Sequence, residues 1–268
     1  MDMKIAICFF GITRSLTHTI GSIERNILAP ARDLGEVRVF AHFFRQAVID
    51  NPRSGERGTL KQDEHQLLSS DWLELEEPGN CLYERDFEGL KKFGDTWKDD
   101  FRSLRNLVHQ LHSLDQVTRA ALAWNPDIVV FARPDLEYHD NLEPCLQVRS
   151  AAPLVQLPSW QHWGQGYNDR FAVAMRPSAA MAYGSRIGLA HRFCHEMNRP
   201  LHAELLVRYG LETNAVKTKL ISARATRVRS NGIWAEESFR HYQLERVLRF
   251  PGSIGQRIKQ RFSAGNTT

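Results

Sequence analysis

Two apolar runs constrain this chain most: Lys4–Phe10 (KIAICFF) and Asp127–Ala132 (DIVVFA), each breaking off at a polar or charged turn. A strand with one wet face alternates apolar and polar residues. A strand without that alternation is buried on both faces, as in a parallel sheet covered by helices. After the first run comes Gly11-Ile12-Thr13-Arg14-Ser15, where Ser15 or Thr17 can N-cap a helix through about Leu28, punctuated by Pro30 and Gly35. Glu36–Phe44 reads as a second strand, so the chain opens as a βαβ unit.

The same alternation continues downstream. Phe101–Trp124 repeats apolar residues at helical spacing and stops at Asn125-Pro126. Leu154–Leu157 and Phe171–Met175 read as strands, with a helix from Pro177 to about Leu189 and another over Leu201–Tyr209 stopped by Gly210. Val216–Leu220 and Ala225–Arg229 read as strands, and the pattern after Ser238 is helical. The expectation is an α/β fold of Rossmann type with a mostly parallel central sheet. Residues 1–238 form the domain. Within it, residues 46–100 are a polar, turn-rich variable insertion to which no function is assigned. Residues 239–268 form a basic helix and tail.

The four cysteines, Cys8, Cys81, Cys145 and Cys194, are scattered with no CxxC pair, which argues against a disulfide framework or a structural zinc site. No apolar run approaches the ~18 residues of a membrane span, and the first apolar run is too short for a secretory signal. A cytoplasmic protein is expected. Formal net charge is +4, but Lys217–Arg261 alone carries eleven basic and three acidic side chains, leaving the remainder acidic. A basic end on an acidic body predicts an anionic partner: an anionic membrane face, a phosphorylated ligand or nucleic acid.

Four stretches could carry chemistry. Gly11 allows a tight turn after the first strand, and Thr13 and Arg14 stand where a helix N-terminus suits phosphate. The spacing matches neither GxGxxG nor GxxxxGK[ST], and a plain turn with a solvated Arg14 accounts for it too. Arg133-Pro134-Asp135-Leu136-Glu137 follows the DIVVFA strand. An extended backbone would put Asp135 and Glu137 on one side, where they could grip a hard cation, or form an acidic loop satisfied by salt bridges. Trp160–Arg170 mixes aromatics, amides and glycines with Asp169, a candidate general base, while Asn168 can equally make an Asx turn. Glu204 opens a helix, where the macrodipole favours it anyway.

In their order, these motifs make the chain resemble bacterial glycosyltransferases of the GT-A type that build polysaccharides. The residues carrying the resemblance are Phe10-Gly11-Ile12-Thr13-Arg14-Ser15, Arg133–Leu136, Gly166–Arg170, His202–Leu206 and Arg227–Gly232, covering roughly residues 4–45 and 101–232. It implies a GT-A-like three-layer sandwich and a nucleoside-diphosphate-sugar donor held by Gly11, Thr13, Arg14, Arg133 and Asp135. It also implies Mg²⁺ or Mn²⁺ on Asp135 and Glu137, with Asp169 as catalytic base and Asn168, Arg170 and Glu204 on sugar hydroxyls. Where the family reads Asp-x-Asp, this chain reads Asp135-Leu136-Glu137, a departure that puts the metal in question. The acceptor would be a glycan or lipid-linked glycan, with the basic tail on the inner membrane face. The alternative is a non-catalytic phosphate- or nucleic-acid-binding module. RNP-like aromatics and a helix-turn-helix signature are missing, so nucleic acid is not expected. A methyltransferase would want a richer glycine loop than Gly11 provides.

Overall fold

A computed structural model of the chain describes residues 3–51 and 55–243. Both faces of its first strand, β1 (Met3–Gly11), are apolar, and this places it inside the sheet. Ile5, Ile7 and Phe9 pack with Leu16, Ile23 and Ile27 of the first helix, while Ala6, Cys8 and Phe10 pack with Leu114, Val117 and Ala121 of the long helix Arg102–Ala123. Burial pushes the Cys8 thiol well up, and all four cysteines are free and buried, as inert packing requires.

The remaining strands are β2 (Gly35–Phe44), β3 (Val48–Asn51), β4 (Glu56–Thr59), β5 (Trp72–Glu76), β6 (Ile128–Ala132), β7 (Leu136–Tyr138), β8 (Leu154–Pro158), β9 (Ala172–Met175), β10 (Lys217–Ile221) and β11 (Ala225–Arg227). Seven of them form one sheet in the order β10-β8-β9-β6-β1-β2-β5. Only β9 runs against its neighbours β6 and β8; every other pairing in that sheet is parallel. The protein is thus α/β with a mostly parallel central sheet. Two antiparallel ribbons, β3–β4 and β7–β11, stand beside it.

Three local expectations change. The first helix does not end near Leu28: Leu16–Ile23 passes through a π-turn, Glu24–Leu28, into Ala29–Arg32, with Pro30, which offers no N–H to the ladder, directly after the π-turn. Gly210 does not stop its helix, which runs Ala203–Thr213. A Cβ at Gly210 would lie 3.4 Å from the Ala182 carbonyl, so the glycine serves close helix packing. Residues 46–100 are not merely external: Trp72–Glu76 is the outermost strand of the central sheet, paired in parallel with β2. Of the basic segment 239–268, residues 244–268 lie outside the described residues, and no helix among those described is long and apolar enough to cross a membrane.

The same stretch also caps the first helix. Ser15 stands at the N-cap but gives its hydroxyl to the Val228 carbonyl. The helix is capped instead by buried Glu64, which accepts from the Leu16 N–H at 3.0 Å and the Thr17 hydroxyl at 2.5 Å. A carboxylate at a helix N-terminus meets both the orphan N–H groups and the macrodipole. Glu64→Ala is therefore expected to cost about 1–2 kcal/mol in urea denaturation, whereas an unchanged midpoint would show that the cap carries no stability.

Candidate active site

The sheet topology selects where a site can form. From β1 the chain builds outward on one side through β2 and β5, then returns to place β6 on the other side. The carboxyl ends of β1 and β6 therefore flank a topological switch point, the place where open parallel sheets bind ligands. There the structure carries a cavity of about 490 Å³.

The turn after β6 is pinned from three sides. The Tyr138 hydroxyl accepts from the Arg133 N–H at 3.0 Å and donates to the Arg133 carbonyl at 3.3 Å. Thr19 of the first helix donates to the Pro134 carbonyl at 2.5 Å, and Tyr138 N–H reaches Ser22 Oγ at 3.0 Å. Asp135 is thereby held inside the protein, 3% exposed. It accepts from Arg133 at 2.9 Å on Oδ1 and 2.7 Å on Oδ2, and Arg14 also donates to Oδ2. Burial alone would raise the Asp135 pKa, but Arg133 and Arg14 outweigh it and hold the carboxyl well below the usual carboxylate range. Burial works to lower the Arg133 pKa, but Asp135 outweighs it, so both remain charged.

Two further carboxylates extend this arrangement. Glu56, in β4 and buried, accepts from Arg14 at 3.2 Å, from Arg229 at 3.3 Å and from the Ser230 N–H at 2.8 Å. Glu237, its side chain 1% exposed, takes Arg170 at 3.0 Å and Arg227 at 2.9 Å, with Gln161 donating at 2.6 Å. Gln110 of the long helix links the two carboxylates the sequence singled out: Arg133 donates to its Oε1 at 3.2 Å, and its Nε2 donates to Asp169 at 3.3 Å.

Of the residues expected from sequence, Gly11, Arg14, Arg133, Asp135, Asp169, Arg170 and Glu204 all line this one cavity. Gly11 sits at φ +104°, in the left-handed region, and donates its N–H to Ser113 Oγ at 2.8 Å. Glu204 pairs with His202 at 3.3 Å. Gly166 lets the 160–170 loop press against that helix start, since a Cβ there would sit 2.1 Å from the Glu204 carbonyl carbon.

Three expected residues stand elsewhere. Thr13 faces a small neighbouring recess. Asn168, 1% exposed, donates to the Trp160 carbonyl at 2.8 Å and accepts from the Arg170 N–H at 2.9 Å, so it makes the Asx turn and builds the loop. Glu137 is half-buried in β7 opposite Thr226, outside the cavity lining. Extended backbone begins only at Leu136, one residue too late to align Asp135 with Glu137. The proposed cation pair therefore does not fit a metal: one carboxylate is consumed by two guanidiniums and the other points away from the shared site. Sequence reasoning missed Glu56, Glu237 and Gln110. Ser103, Asn106 and Gln110 form an uncharged polar stripe along this amphipathic helix and were the signal available for the last of these.

A second cluster lies nearby. His42, Glu76 and His112 bring ligand-type atoms within 4.8 Å of one another. Their hydrogen bonds fix the tautomers. Ser113 spends its hydroxyl proton on the His42 carbonyl at 2.7 Å, so it can only accept from His42 Nδ1 at 3.0 Å, leaving Nε2 bare. On His112 the Arg85 Nε–H occupies Nδ1 at 3.0 Å, so the proton sits on Nε2 and is donated to Glu76 at 2.9 Å. A three-ligand metal site needs both Nε2 atoms bare, and Arg85 denies this at His112. Burial, then His112, pushes His42 down to about 4, and burial, then Arg105, pushes His109 on the cavity wall down to about 4.

No protein-family model matches the chain, and no curated protein matches it by sequence.

The two depressed histidines set a pH dependence. An unfolded chain protonates them near the usual 6.5, the folded one only near 4, so unfolding gains protons as pH falls between those values. Stability is full above pH 6.5 and declines toward pH 4, by at most about 3 kcal/mol per imidazole. Urea melts at pH 7 and pH 4.5 measure the slope, and His109→Gln should flatten it. An identical slope in the variant would contradict the assignment.

Proposed function

We propose that the chain is a glycosyltransferase that moves a sugar from a nucleoside-diphosphate sugar to a glycan or lipid-linked acceptor in surface-polysaccharide synthesis. The observation that carries this reading is the meeting of Arg14, Arg133, Asp135, Asp169 and Arg170 in one cavity at the switch point of the sheet. These residues come from three separate segments, the turn after β1, the turn after β6 and the loop before β9, and their convergence has no packing purpose that apolar residues would not serve more cheaply. The three-layer, GT-A-like arrangement belongs to the same proposal, as do a cytoplasmic location and attachment of the basic tail to the inner membrane face.

In this reading the guanidiniums of Arg14, Arg133 and Arg229 stand where the diphosphate's charge develops as it leaves, already oriented by Asp135 and Glu56. Asp169 accepts the proton of the acceptor hydroxyl as the new bond to the sugar carbon forms and the bond to the diphosphate breaks. The Gln110 amide holds that carboxylate in place at 3.3 Å. Glu204 and Arg170 line the sugar side, although Arg170 already spends donors on Glu237 and Gln161. The alternative, a non-catalytic nucleic-acid module, is less well supported: its cations should stand on an open face, whereas Arg14 and Arg170 have side chains 8% and 9% exposed.

Asp169→Asn keeps the shape and removes the base. The expected result is a drop of about 10²–10⁴-fold in turnover with donor affinity nearly unchanged, measured by release of nucleoside diphosphate and by calorimetric titration of the donor sugar. Full turnover in this variant would remove Asp169 from the chemistry. Failure of every nucleoside-diphosphate sugar to bind would overturn the reading as a whole.

A further inference from the structure

We propose that this cavity holds the diphosphate with arginine side chains alone, without a divalent cation; the proposal rests on the glycosyltransferase reading and specifies how its donor is gripped. The arginines are organised into two ion-pair chains. In one, Arg133, Asp135, Arg14, Glu56 and Arg229 follow one another, each carboxylate shared by two guanidiniums. In the other, Glu237 is shared by Arg170 and Arg227. Each chain begins and ends on a guanidinium, so each carries one more cation than anion.

Asp50, Asp169, Glu204 and Glu236 also stand on the cavity wall, but the outer arginines of the two chains are crowded by burial and by one another. Burial, then Arg227 and Arg14, pushes the Arg229 pKa down, and burial, then Arg227, pushes Arg170 down to about 10. Arg14, with its side chain 8% exposed, keeps its Nε–H without an acceptor among the described residues. A buried donor without an acceptor beside crowded like charges is a site prepared for an anion. A divalent cation brought to the same place would add to the surplus and would have to displace Arg14 and Arg133 from Asp135. Among the described residues the grouping of three ligand-type side chains is His42–Glu76–His112, where Arg85 blocks coordination.

A planar guanidinium matches phosphate oxygens bidentately and is far more weakly hydrated than a divalent cation. With no metal in the grip, binding should not depend on chelators.

Calorimetric titration of the full chain with inorganic pyrophosphate, first in EDTA and then in excess Mg²⁺ or Mn²⁺, tests the proposal. One pyrophosphate should bind per chain in EDTA, with an affinity that the metals raise by no more than about threefold. Arg229→Gln, which removes the outermost member of one chain, should weaken it about tenfold or more, equivalent to one lost charge-assisted pair. Arg192→Gln, an exposed charge elsewhere, should leave it unchanged. Binding that appears only with metal would overturn the proposal while leaving the glycosyltransferase reading intact. Pyrophosphate and nucleoside-diphosphate sugars that bind under neither condition would overturn both. Comparing metal and EDTA on the unaltered protein decides the matter even if a variant fails to fold.

Discussion

The Asp135 carboxylate between two guanidiniums is the contact on which the rest of the site depends. It joins the turn after β1, through Arg14, to the turn after β6, through Arg133, across the gap between the two strands that define the switch point. Taking three charges out of water is costly, and only near-complete pairing makes it tolerable. Removing the carboxylate alone would leave two buried cations facing each other, a loss far larger than one hydrogen bond. Side-chain placement on both sides of the cavity therefore stands or falls with this residue.

From that contact the order of the structure follows outward. Glu56 repeats the same device one step further, and so gives the 46–100 stretch a place in the site. Glu64, a few residues on, caps the first helix and brings Thr19 and Ser22 to bear on the turn that carries Asp135. The central sheet supplies the rigid base, the turn after β6 supplies Asp135 and the β3–β4 hairpin supplies Glu56. Binding energy in such a site is spent on groups that need not reorganise when charge develops.

Much of this was legible in the chain. β1, β6 and the carboxyl half of β2 are buried on both faces, and burial of that kind leaves a run of apolar residues that local reading detects. Gly11, Arg14, Arg133 and Asp135 stood out because charge at the end of a core strand is expensive unless used. Glu56 and Glu237 did not, since a carboxylate in a polar segment gains its role only from arginines more than forty positions away or across a loop. Glu137 was misjudged because the alternation was counted from Asp135, while the turn at Pro134 delays the strand to Leu136. Gly210 shows the same limit: the glycine answers a neighbour, Ala182, that no local pattern contains.

A crystal structure of the protein with a nucleoside-diphosphate sugar bound tests the central claim most directly. The account predicts the diphosphate seated against Arg14 and Arg229 with the Asp135 ion pairs intact and the sugar carbon turned toward Asp169. Density for the diphosphate outside this cavity, or an Asp135 carboxylate freed from both arginines to hold an ion, would contradict it.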